Sequence, residues 1–434
     1  MATTITAPAS AVEVGPDAEV RAKATHAREA ARKLALTPTA VKNRGLRAVA
    51  TALVEQQSEV LAANQQDVAA AEAAGLAEST RDRLLLTPAR LKAIAADVHS
   101  VAALPDPVGE VLDMRVVESG LQVGRRRVPL GVIGVVYEAR PNVTVDIACL
   151  AVKSGNTVVL RGGSDAIHSN QALAQLLNRV LTDAGLPEGA VQLIETTDRQ
   201  TVTALLHARG LIDVVIPRGG QALIDYCVQH TAVPVIETGA GVCHTYVDKA
   251  ADLTKAQRVV FNAKVRRPSI CNALDTLLVH EAIAPRLLPA LADELGQAGV
   301  ELRGDPAVTS LLDGRPLVRP ATEADYGTEF LALVMSIKLV ADLDAALAHI
   351  EQYGSGHSEA IITEDYSAGR RFLDEVDAAA VFWNASTQFT DGAQFGLGAE
   401  VGISTQKLHA RGPMALTEMT TYKWIIYGDG HTRP

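Results

Sequence analysis

The chain contains 434 residues, of which 48% are hydrophobic and 21% charged, as expected of a globular protein with two or three domains. It carries 40 Lys and Arg residues against 50 Asp and Glu residues, and this net charge of −10 disfavours a nucleic-acid partner. The sequence has no apolar run of the roughly 18 residues that a membrane span needs, and positions 1–20 lack the basic residues of a targeting segment.

The N-terminal part of the chain has a helical pattern. Residues 1–16 are small and polar and predict a frayed tail. From Ala18 to about Ala103 apolar residues recur at helical spacing, which predicts several helices. Breaks are expected near Pro38 and Pro88, because proline interrupts a helix.

At Arg115 the pattern changes to a β-hairpin followed by an α/β region. Apolar residues flank a turn at Ser119-Gly120, and short apolar runs then alternate with amphipathic helices. This alternation indicates a parallel sheet with helices on both faces. The predicted strands are 131–137, 156–161, 191–195, 212–216 and 233–237, and the predicted helices are 143–152, 170–184, 199–208 and 220–230.

A second alternating set predicts another α/β domain. Its strands are expected at 275–279, 331–339, 359–363 and 379–383, and its helices at 253–265, 283–297, 342–351 and 366–376. The last strand, 420–427, has no local partner, so it should pair with the 115–127 hairpin of its own chain or with a second chain. The predicted fold class is therefore α/β, with two domains of parallel sheet and a projecting β element.

Two glycine-rich turns that follow predicted strands carry basic residues, Arg161-Gly-Gly-Ser164 and Arg218-Gly-Gly220. Glycine lets backbone amides approach a phosphate, the next helix offers its positive N-terminus, and arginine adds a bidentate contact. Two such turns in successive strand–helix units favour a dinucleotide site over simple chain reversal. The standard dinucleotide and P-loop fingerprints are absent, so the site would be of another type.

The four cysteines differ in context, and their scatter argues for free thiols in a reducing cytoplasm. Cys149 lies on an apolar helix face and is expected in the core. Cys227 has a histidine three residues away, but no second pair supports a metal site. Cys271 follows Arg266, Arg267 and a proline, so it should lie on a loop where guanidinium groups lower its pKa. It is either a catalytic nucleophile or a half-buried loop thiol.

Glu237 ends the apolar run 232–236 and precedes Thr238-Gly239. Carboxyl ends of parallel strands are where open α/β sheets bind ligands, which makes Glu237 an acid–base candidate. The alternative is an ordinary surface carboxylate.

Four stretches then combine into one pattern. They are Val128-Pro-Leu-Gly-Val-Ile-Gly-Val-Val-Tyr-Glu-Ala-Arg-Pro-Asn-Val-Thr144, Ile236-Glu-Thr-Gly239, Arg267-Pro-Ser-Ile-Cys-Asn-Ala273, and His409-Ala-Arg-Gly-Pro-Met414 with Thr420-Thr-Tyr-Lys-Trp424. Their order resembles the aldehyde dehydrogenase superfamily and, within it, the γ-glutamyl phosphate reductase family. The resemblance extends from about Ala18 to Tyr427, and the 34-residue separation of Glu237 from Cys271 agrees with it.

The resemblance implies an NADPH-dependent reduction of γ-glutamyl phosphate to glutamate-5-semialdehyde, in proline biosynthesis. Cys271 would be the nucleophile that forms a thioester, with an oxyanion held by its own amide and by a side chain. Alignment places either Arg140 or Asn142 at that side-chain position. Glu237 matches the base of hydrolytic relatives, and in a reductase it would either deprotonate Cys271 or border the nicotinamide.

The resemblance also assigns cofactor residues, with no metal. They are Arg161, Gly162, Gly163, Ser164, Arg218, Gly219, Gly220, Thr238, Gly239 and Glu329, the last matching the residue that holds the nicotinamide ribose. Arg161 replaces the usual lysine, and Ser164 stands where NAD-preferring relatives often carry an acid. With a guanidinium there and no repelling carboxylate, NADP(H) should be preferred.

For the substrate, the resemblance suggests arginines at the phosphate and α-carboxylate and the late glycine-rich loop at the amino-acid end. These candidates are Arg140, Arg267, Arg411, Gly398, Ala399 and Glu400. The net charge of −10 does not preclude an anionic substrate, because salt screens charges beyond about 8 Å. A hydrolytic or coenzyme A-acylating dehydrogenase of the same superfamily is the alternative function, and a regulatory protein without catalysis is a more distant one.

The same resemblance predicts the domain organisation. We expect a flexible tail at 1–16, an NADP(H)-binding domain at 17–113 and 128–240, a catalytic domain at 241–415, and a β oligomerisation element at 114–127 and 416–434. The partners expected are a small-molecule substrate and further copies of the chain. Association with glutamate 5-kinase is a further expectation, whereas nucleic acid and membrane are not expected.

Overall fold

The computed structural model describes residues 15–433, so the predicted tail lies outside it except for its last two residues. Of these, Pro16 already begins the first helix. The N-terminal helices are α1 Pro16–Leu34, α2 Thr39–Glu55, α3 Gln57–Ala73, α4 Glu78–Leu84 and α5 Pro88–Ala103. The breaks predicted near Pro38 and Pro88 are confirmed, and the Thr87 hydroxyl caps α5 by accepting the Arg90 amide.

The next elements build a parallel sheet in the order β5-β4-β3-β6, preceded by a hairpin. Their bounds are β1 Val111–Val116, β2 Gln122–Pro129, β3 Val132–Tyr137, α6 Pro141–Lys153, β4 Thr157–Arg161, α7 Ile167–Asp183, β5 Val191–Leu193, α8 Gln200–Leu206, β6 Val214–Arg218 and α9 Gln221–Gln229. Strands β3 and β4 are buried along their whole length, as continuous apolar runs of a parallel sheet should be.

The strand predicted at 233–237 is wrong. The segment lies beside β6, where the Val215 amide donates to the Pro234 carbonyl at 2.8 Å and the Ile236 amide donates to the Val215 carbonyl at 2.9 Å. Only the isolated bridge between Val215 and Val235 forms. Pro234 has no N–H to extend a ladder, so a regular strand is not established there.

The second parallel sheet has the order β10-β9-β11-β8-β7-β12-β13. The remaining elements are β7 Cys243–Val247, α10 Leu253–Val265, β8 Leu274–His280, α11 Ala284–Gln297, β9 Glu301–Gly304, α12 Pro306–Leu311, β10 Val318–Pro320, β11 Val334–Val340, α13 Leu343–Tyr353, β12 Ser358–Ile362, α14 Tyr366–Glu375, β13 Ala380–Trp383, β14 Ile403–Ser404, β15 Gly412–Pro413 and β16 Thr420–Tyr427. Sequence reasoning missed β7, β9, β10, β14 and β15, which are short or polar.

The C-terminal strand pairs within its own chain. β16 lies antiparallel to β2, and β2 also pairs with β1, which gives the sheet order β1-β2-β16. The hairpin turn falls where it was predicted, with Gly120 at a φ of 88°. The faces of this sheet leave large apolar side chains exposed, among them Val116 at 67%, Trp424 at 51% and Ile426 at 55%.

The described chain divides into two compact units. The first runs to Ile236 and takes in the segment from Ala415 onward, and the second is Glu237–Met414. The first unit therefore includes the β1-β2-β16 sheet, and its boundary lies at Ile236 where we had predicted residue 240. Among residues 15–433, no helix is both long and apolar enough to cross a bilayer.

The first unit contains a buried ion pair whose disruption should lower the free energy of unfolding strongly. The Lys42 ammonium lies 2.5 Å from the Asp106 carboxylate, and the two side chains are 1% and 6% exposed. Lys42→Met leaves that carboxylate buried without its cation, so the free energy of unfolding should fall by about 3–5 kcal/mol in a urea titration. The exposed pair Arg370–Asp374 is the control, and Arg370→Ala should cost less than about 0.5 kcal/mol. Equal losses in the two variants would contradict this expectation.

Candidate active site

Cys271 lies on a short loop between α10 and β8, as predicted, and it is half-buried. Two hydrogen bonds of the next residue, Asn272, hold the loop in place. The Thr387 hydroxyl donates to the Asn272 carbonyl at 2.8 Å, and the Asn272 side-chain amide donates to the Thr390 carbonyl at 3.0 Å. The loop that carries the thiol is therefore held in one conformation by buried polar contacts.

The carbonyl of Cys271 is held by two residues that sequence reasoning did not single out. The buried thiol of Cys243 donates to that oxygen at 3.2 Å. The Gly241 backbone lies so close that a Cβ there would stand 1.5 Å from the same oxygen. Gly241 is thus required by a close backbone approach, and any side chain would displace the Cys271 peptide.

Glu329 joins this cluster. Its carboxylate accepts the Gly241 amide at 3.0 Å, and burial raises its pKa, while the hydrogen bond from Gly241 acts in the opposite direction. The structure therefore brings together one predicted cofactor residue, Glu329, and the predicted nucleophile loop, with Gly241 between them.

A buried ion pair lies next to this cluster. The Lys264 ammonium is 3.5 Å from the Asp275 carboxylate, which also accepts the Phe330 amide at 3.2 Å. Burial raises the pKa of Asp275 to about 7, against the attraction of Lys264, and burial lowers the pKa of Lys264. The pair connects α10, β8 and the residue after Glu329.

The segment with Glu237 is held by the chain around residue 405. The Glu237 amide donates to the Gln406 side chain at 2.9 Å, and Thr238 forms an antiparallel bridge with Ser404. A Cβ at Gly239 would stand 2.6 Å from the Thr405 side chain. Glu237 is half-buried and lies on this irregular segment, where the strand end had been predicted.

The predicted substrate residues of the second unit lie on three segments of the chain. Arg267 is exposed on the nucleophile loop. The Glu400 carboxylate accepts the Gly392 amide at 2.8 Å, which closes the loop that also carries Gly398 and Ala399. Arg411 lies 2.5 Å from Asp377, whose pKa is lowered to about 2 by hydrogen bonds from Arg411 and Lys407. Arg411 is therefore held in place by this ion pair.

In the first unit, Arg161 is buried, and its side chain forms hydrogen bonds with groups of its own chain. Its guanidinium donates to the Thr201 hydroxyl and to the carbonyls of Gly162, Thr197 and Asp198, at 2.7–3.2 Å. Burial lowers its pKa, and the neighbouring guanidinium of Arg199 acts in the same direction. Arg161 therefore shapes the turn, and Arg199 is a second cation near it that sequence reasoning missed.

Both glycines of this turn pack closely against neighbouring atoms. A Cβ at Gly162 would lie 2.3 Å from the Asn170 side chain, and one at Gly163 would lie 3.3 Å from the Ala139 amide. The Ser164 hydroxyl donates to the Asp165 carboxylate at 3.3 Å. The expectation that no carboxylate stands near Ser164 is thus wrong, because Asp165 is adjacent.

The second turn, Arg218-Gly-Gly220, opens α9, as predicted. The Gly220 amide donates to the Glu138 carboxylate at 3.2 Å, and a Cβ at Gly219 would stand 2.7 Å from that carboxylate. The chain thus places its own anion at the amide where a cofactor phosphate was expected. Arg218 is half-buried beside it.

The two oxyanion candidates stand at the start of α6. Arg140 is the residue before the helix, and its side chain is exposed. The half-buried Asn142 donates from its side-chain amide to the Asp146 carboxylate at 2.9 Å, one turn along the helix. Asp146 is a further residue that the motifs did not reveal, since only the i, i+4 spacing hints at it.

The other three cysteines are buried and protonated. Burial raises the pKa of Cys227 to about 11, and it also raises the pKa values of Cys149 and Cys243. Among the described residues no group of three His, Cys, Asp or Glu side chains is arranged to hold a metal ion. Cys271 is thus the one cysteine of residues 15–433 that is not classed as buried.

Comparison with known proteins gives a consistent result. A model of the "Aldehyde dehydrogenase family" matches residues 6–311. A curated γ-glutamyl phosphate reductase from Moorella thermoacetica is 55% identical over 415 residues, covering 96% of this chain and 99% of that protein. Another, from Roseiflexus castenholzii, is 55% identical over 413 residues, covering 94% and 97%.

Solved structures agree with these matches. The crystal structure of γ-glutamyl phosphate reductase from Thermotoga maritima superposes with a TM-score of 0.93 at 48% identity, covering 96% of this chain and all of that one. An acetylating aldehyde dehydrogenase from Geobacillus thermoglucosidasius gives a TM-score of 0.71 at 17% identity, covering 96% and 98%, and this supports the fold alone.

Thiol accessibility gives a direct prediction for the site. In the native protein, iodoacetamide at pH 8 should alkylate Cys271 and leave Cys149, Cys227 and Cys243 unmodified, because burial keeps those three protonated and enclosed. Peptide mass spectrometry identifies the modified residue, and alkylation in denaturant supplies the control in which all four react. Faster labelling of any buried cysteine than of Cys271 would contradict the arrangement.

Proposed function

This chain belongs to the aldehyde dehydrogenase family, and we propose that it reduces γ-glutamyl phosphate to glutamate-5-semialdehyde and phosphate in proline biosynthesis. The observation that carries the proposal is its close, nearly full-length likeness to curated reductases of that name. The fastened Cys271 loop agrees with it, since this chemistry needs a positioned thiolate.

The thiolate of Cys271 attacks the acyl carbon, a C–S bond forms, and the C–O bond to phosphate breaks. Phosphate is already a good leaving group, so the protein mainly positions the reacting atoms and stabilises the oxyanion. Addition of hydride to the thioester carbon gives a thiohemiacetal, which collapses to the aldehyde and the thiolate. Gly241 and Cys243 support this sequence by holding the Cys271 carbonyl.

NADPH, when bound, supplies the hydride. In the first unit, a phosphate at the α9 N-terminus with Arg218 would have to displace Glu138 from the Gly220 amide. At the Arg161 turn, the guanidinium of Arg199 would favour a 2′-phosphate, whereas Asp165 would disfavour it. In the second unit, Glu329 is the candidate ligand of the nicotinamide ribose, with Thr238 and Gly239 on the segment beside Glu237.

Asn142 is our choice for the side-chain oxyanion donor. Its amide carries two N–H groups, of which one is spent on Asp146. Arg140, with Arg267, is assigned to the anionic groups of the substrate, and Gly398, Ala399 and Glu400 to its amino-acid end. Glu237 serves in deprotonation of Cys271 or borders the nicotinamide, because a reductase must keep water from the thioester.

Assembly is proposed from the β1-β2-β16 sheet. It exposes Val116, Trp424 and Ile426 by more than half of their surface, and large exposed apolar patches mark interaction sites. A homo-oligomer would cover them and the sheet edges. Cytoplasmic localisation and association with a glutamate 5-kinase stay predictions.

The reaction is best tested in reverse, because the acyl phosphate is labile. With glutamate-5-semialdehyde and NADP+, the protein should form at most one NADPH per active site without inorganic phosphate and should turn over continuously only when phosphate is added. Cys271→Ala should lower the rate by at least about 10³-fold, because it removes the nucleophile. Cys227→Ala, which removes a buried thiol elsewhere, should stay within about twofold. Repeated NADPH turnover without phosphate would instead identify a hydrolytic dehydrogenase, and turnover that depends on coenzyme A would identify an acylating one.

Cofactor preference can be tested at Asp165. Replacing it by Asn removes a negative charge beside Ser164, so kcat/KM for NADP+ should rise relative to that for NAD+. An increase of about two- to tenfold corresponds to one exposed charge near a phosphate. Asp183→Asn, at the far end of α7, is the control and should change neither value. An unchanged ratio in Asp165→Asn would place the 2′-phosphate elsewhere.

A further inference from the structure

Asp275 is a buried carboxylate of the second unit that the mechanism above does not use. It is the second residue of β8, and its side chain is 3% exposed. On β7, Cys243 pairs with Leu274 of β8, and the next residue of β7 pairs with Thr276. The ladder thus skips Asp275, which is the extra residue of a β-bulge, a feature that redirects side chains and is frequent beside active sites.

The carboxylate of Asp275 accepts hydrogen bonds from the backbone of two other segments. It accepts the Phe330 amide at 3.2 Å. Burial raises its pKa, and backbone hydrogen bonds from Phe330 and Cys243 act against that rise. A buried amide without an acceptor is costly, so Asp275 supplies what the interrupted ladder lacks. It joins the start of β7 to the segment that leads into β11.

Each of these two segments also reaches the surroundings of Cys271. The Cys243 thiol donates to the Cys271 carbonyl at 3.2 Å. On the other segment, Glu329 precedes Phe330 and accepts the Gly241 amide at 3.0 Å. All of these residues belong to the second unit, so the arrangement is formed within one compact part of the chain.

Lys264 on α10 supplies the cation that a buried carboxylate needs. Its ammonium is fully buried, lies 3.5 Å from the Asp275 carboxylate and stands 5.9 Å from the centre of the Phe330 ring. The Arg303 guanidinium lies over the same ring at 5.2 Å. The residue after Glu329 is therefore held by its amide through Asp275 and by its ring through two cations.

We propose that Asp275 is a positioning residue, which holds Glu329 at a fixed place relative to Cys271 so that the nicotinamide ribose is bound where the thioester can accept hydride. The inference rests on the proposed function, and in particular on Glu329 as the ribose ligand. Hydride transfer needs the reacting atoms in near contact, so a displacement of about 1 Å in a binding residue is costly. Lys264 contributes by keeping Asp275 ionised, because only an ionised carboxylate is purely an acceptor.

A double-mutant cycle on cofactor affinity tests this coupling. Glu329→Gln should weaken NADP+ binding in a calorimetric titration by about tenfold, since it removes a hydrogen bond to a charged group. Asp275→Asn places N–H groups where acceptors are needed and should weaken binding by about three- to tenfold. The double variant should lose less than about twofold more than Glu329→Gln alone, because Asp275 acts through Glu329. The same non-additivity is expected for kcat of phosphate-dependent turnover.

Asp248→Asn is the matched control. Asp248 is a buried carboxylate just after the other end of β7, where it accepts the Ala250 amide at 3.1 Å and the Thr363 hydroxyl at 2.8 Å. Its replacement should lower stability and leave NADP+ affinity unchanged. Additive losses in the cycle, an unchanged affinity in Asp275→Asn, or an equal loss of affinity in Asp248→Asn would overturn the inference.

A second variant keeps the test decisive if Asp275→Asn folds poorly. Lys264→Met combined with Asp275→Asn removes both buried charges together, which proteins tolerate better than the removal of one, and the cycle with Glu329→Gln is repeated on it. An unchanged affinity in Glu329→Gln would refute the ribose assignment and the inference together. Absence of phosphate-dependent turnover in a parent protein that binds NADP+ would instead refute the proposed reductase activity.

Discussion

The second unit, which carries Cys271, depends on the close contact between the Gly241 backbone and the Cys271 peptide. No side chain fits at 241, where a Cβ would stand 1.5 Å from the Cys271 carbonyl oxygen. The same glycine donates its amide to Glu329, and the Cys243 thiol donates to the same carbonyl. One backbone approach therefore sets the nucleophile loop relative to a candidate cofactor ligand, and the surrounding hydrogen bonds of Asn272 prevent the loop from relaxing away from it.

Buried polar groups explain why some buried strands were harder to predict from sequence than the helices. α10 and β16 were predicted with the bounds that the structure shows, because periodicity and a partnerless apolar strand are local signals. β7 reads Cys-His-Thr-Tyr-Val and lacks such a signal, yet it is wholly buried. Its His244 pairs with Glu359, 115 residues away, whose carboxylate accepts the backbone amide at 2.8 Å and lies 3.1 Å from the ring Nδ1.

The candidate site likewise contains residues that short motifs located and residues that they did not. Motifs located Cys271, Glu329 and both glycine-rich turns, since each is a short pattern with its own chemistry. They did not reveal Glu138 at the Gly220 amide, Asp165 beside Ser164, or Asp146 beneath Asn142. Glu138 is 82 residues from its donor, so only the fold brings the two together, whereas Asp165 and Asp146 lie one and four residues from Ser164 and Asn142. All three stand next to residues that we propose to bind anionic groups, where a negative charge opposes anion binding.

The central claim, a thioester on Cys271, is tested most directly by trapping it. The protein would be mixed with glutamate-5-semialdehyde and NADP+ without phosphate, quenched in acid, and digested for peptide mass spectrometry. The account predicts one added glutamyl group on the peptide that contains Cys271, and its loss when phosphate is supplied before the quench. An adduct on another residue, or oxidised product with no adduct on any peptide at the earliest times, would contradict it.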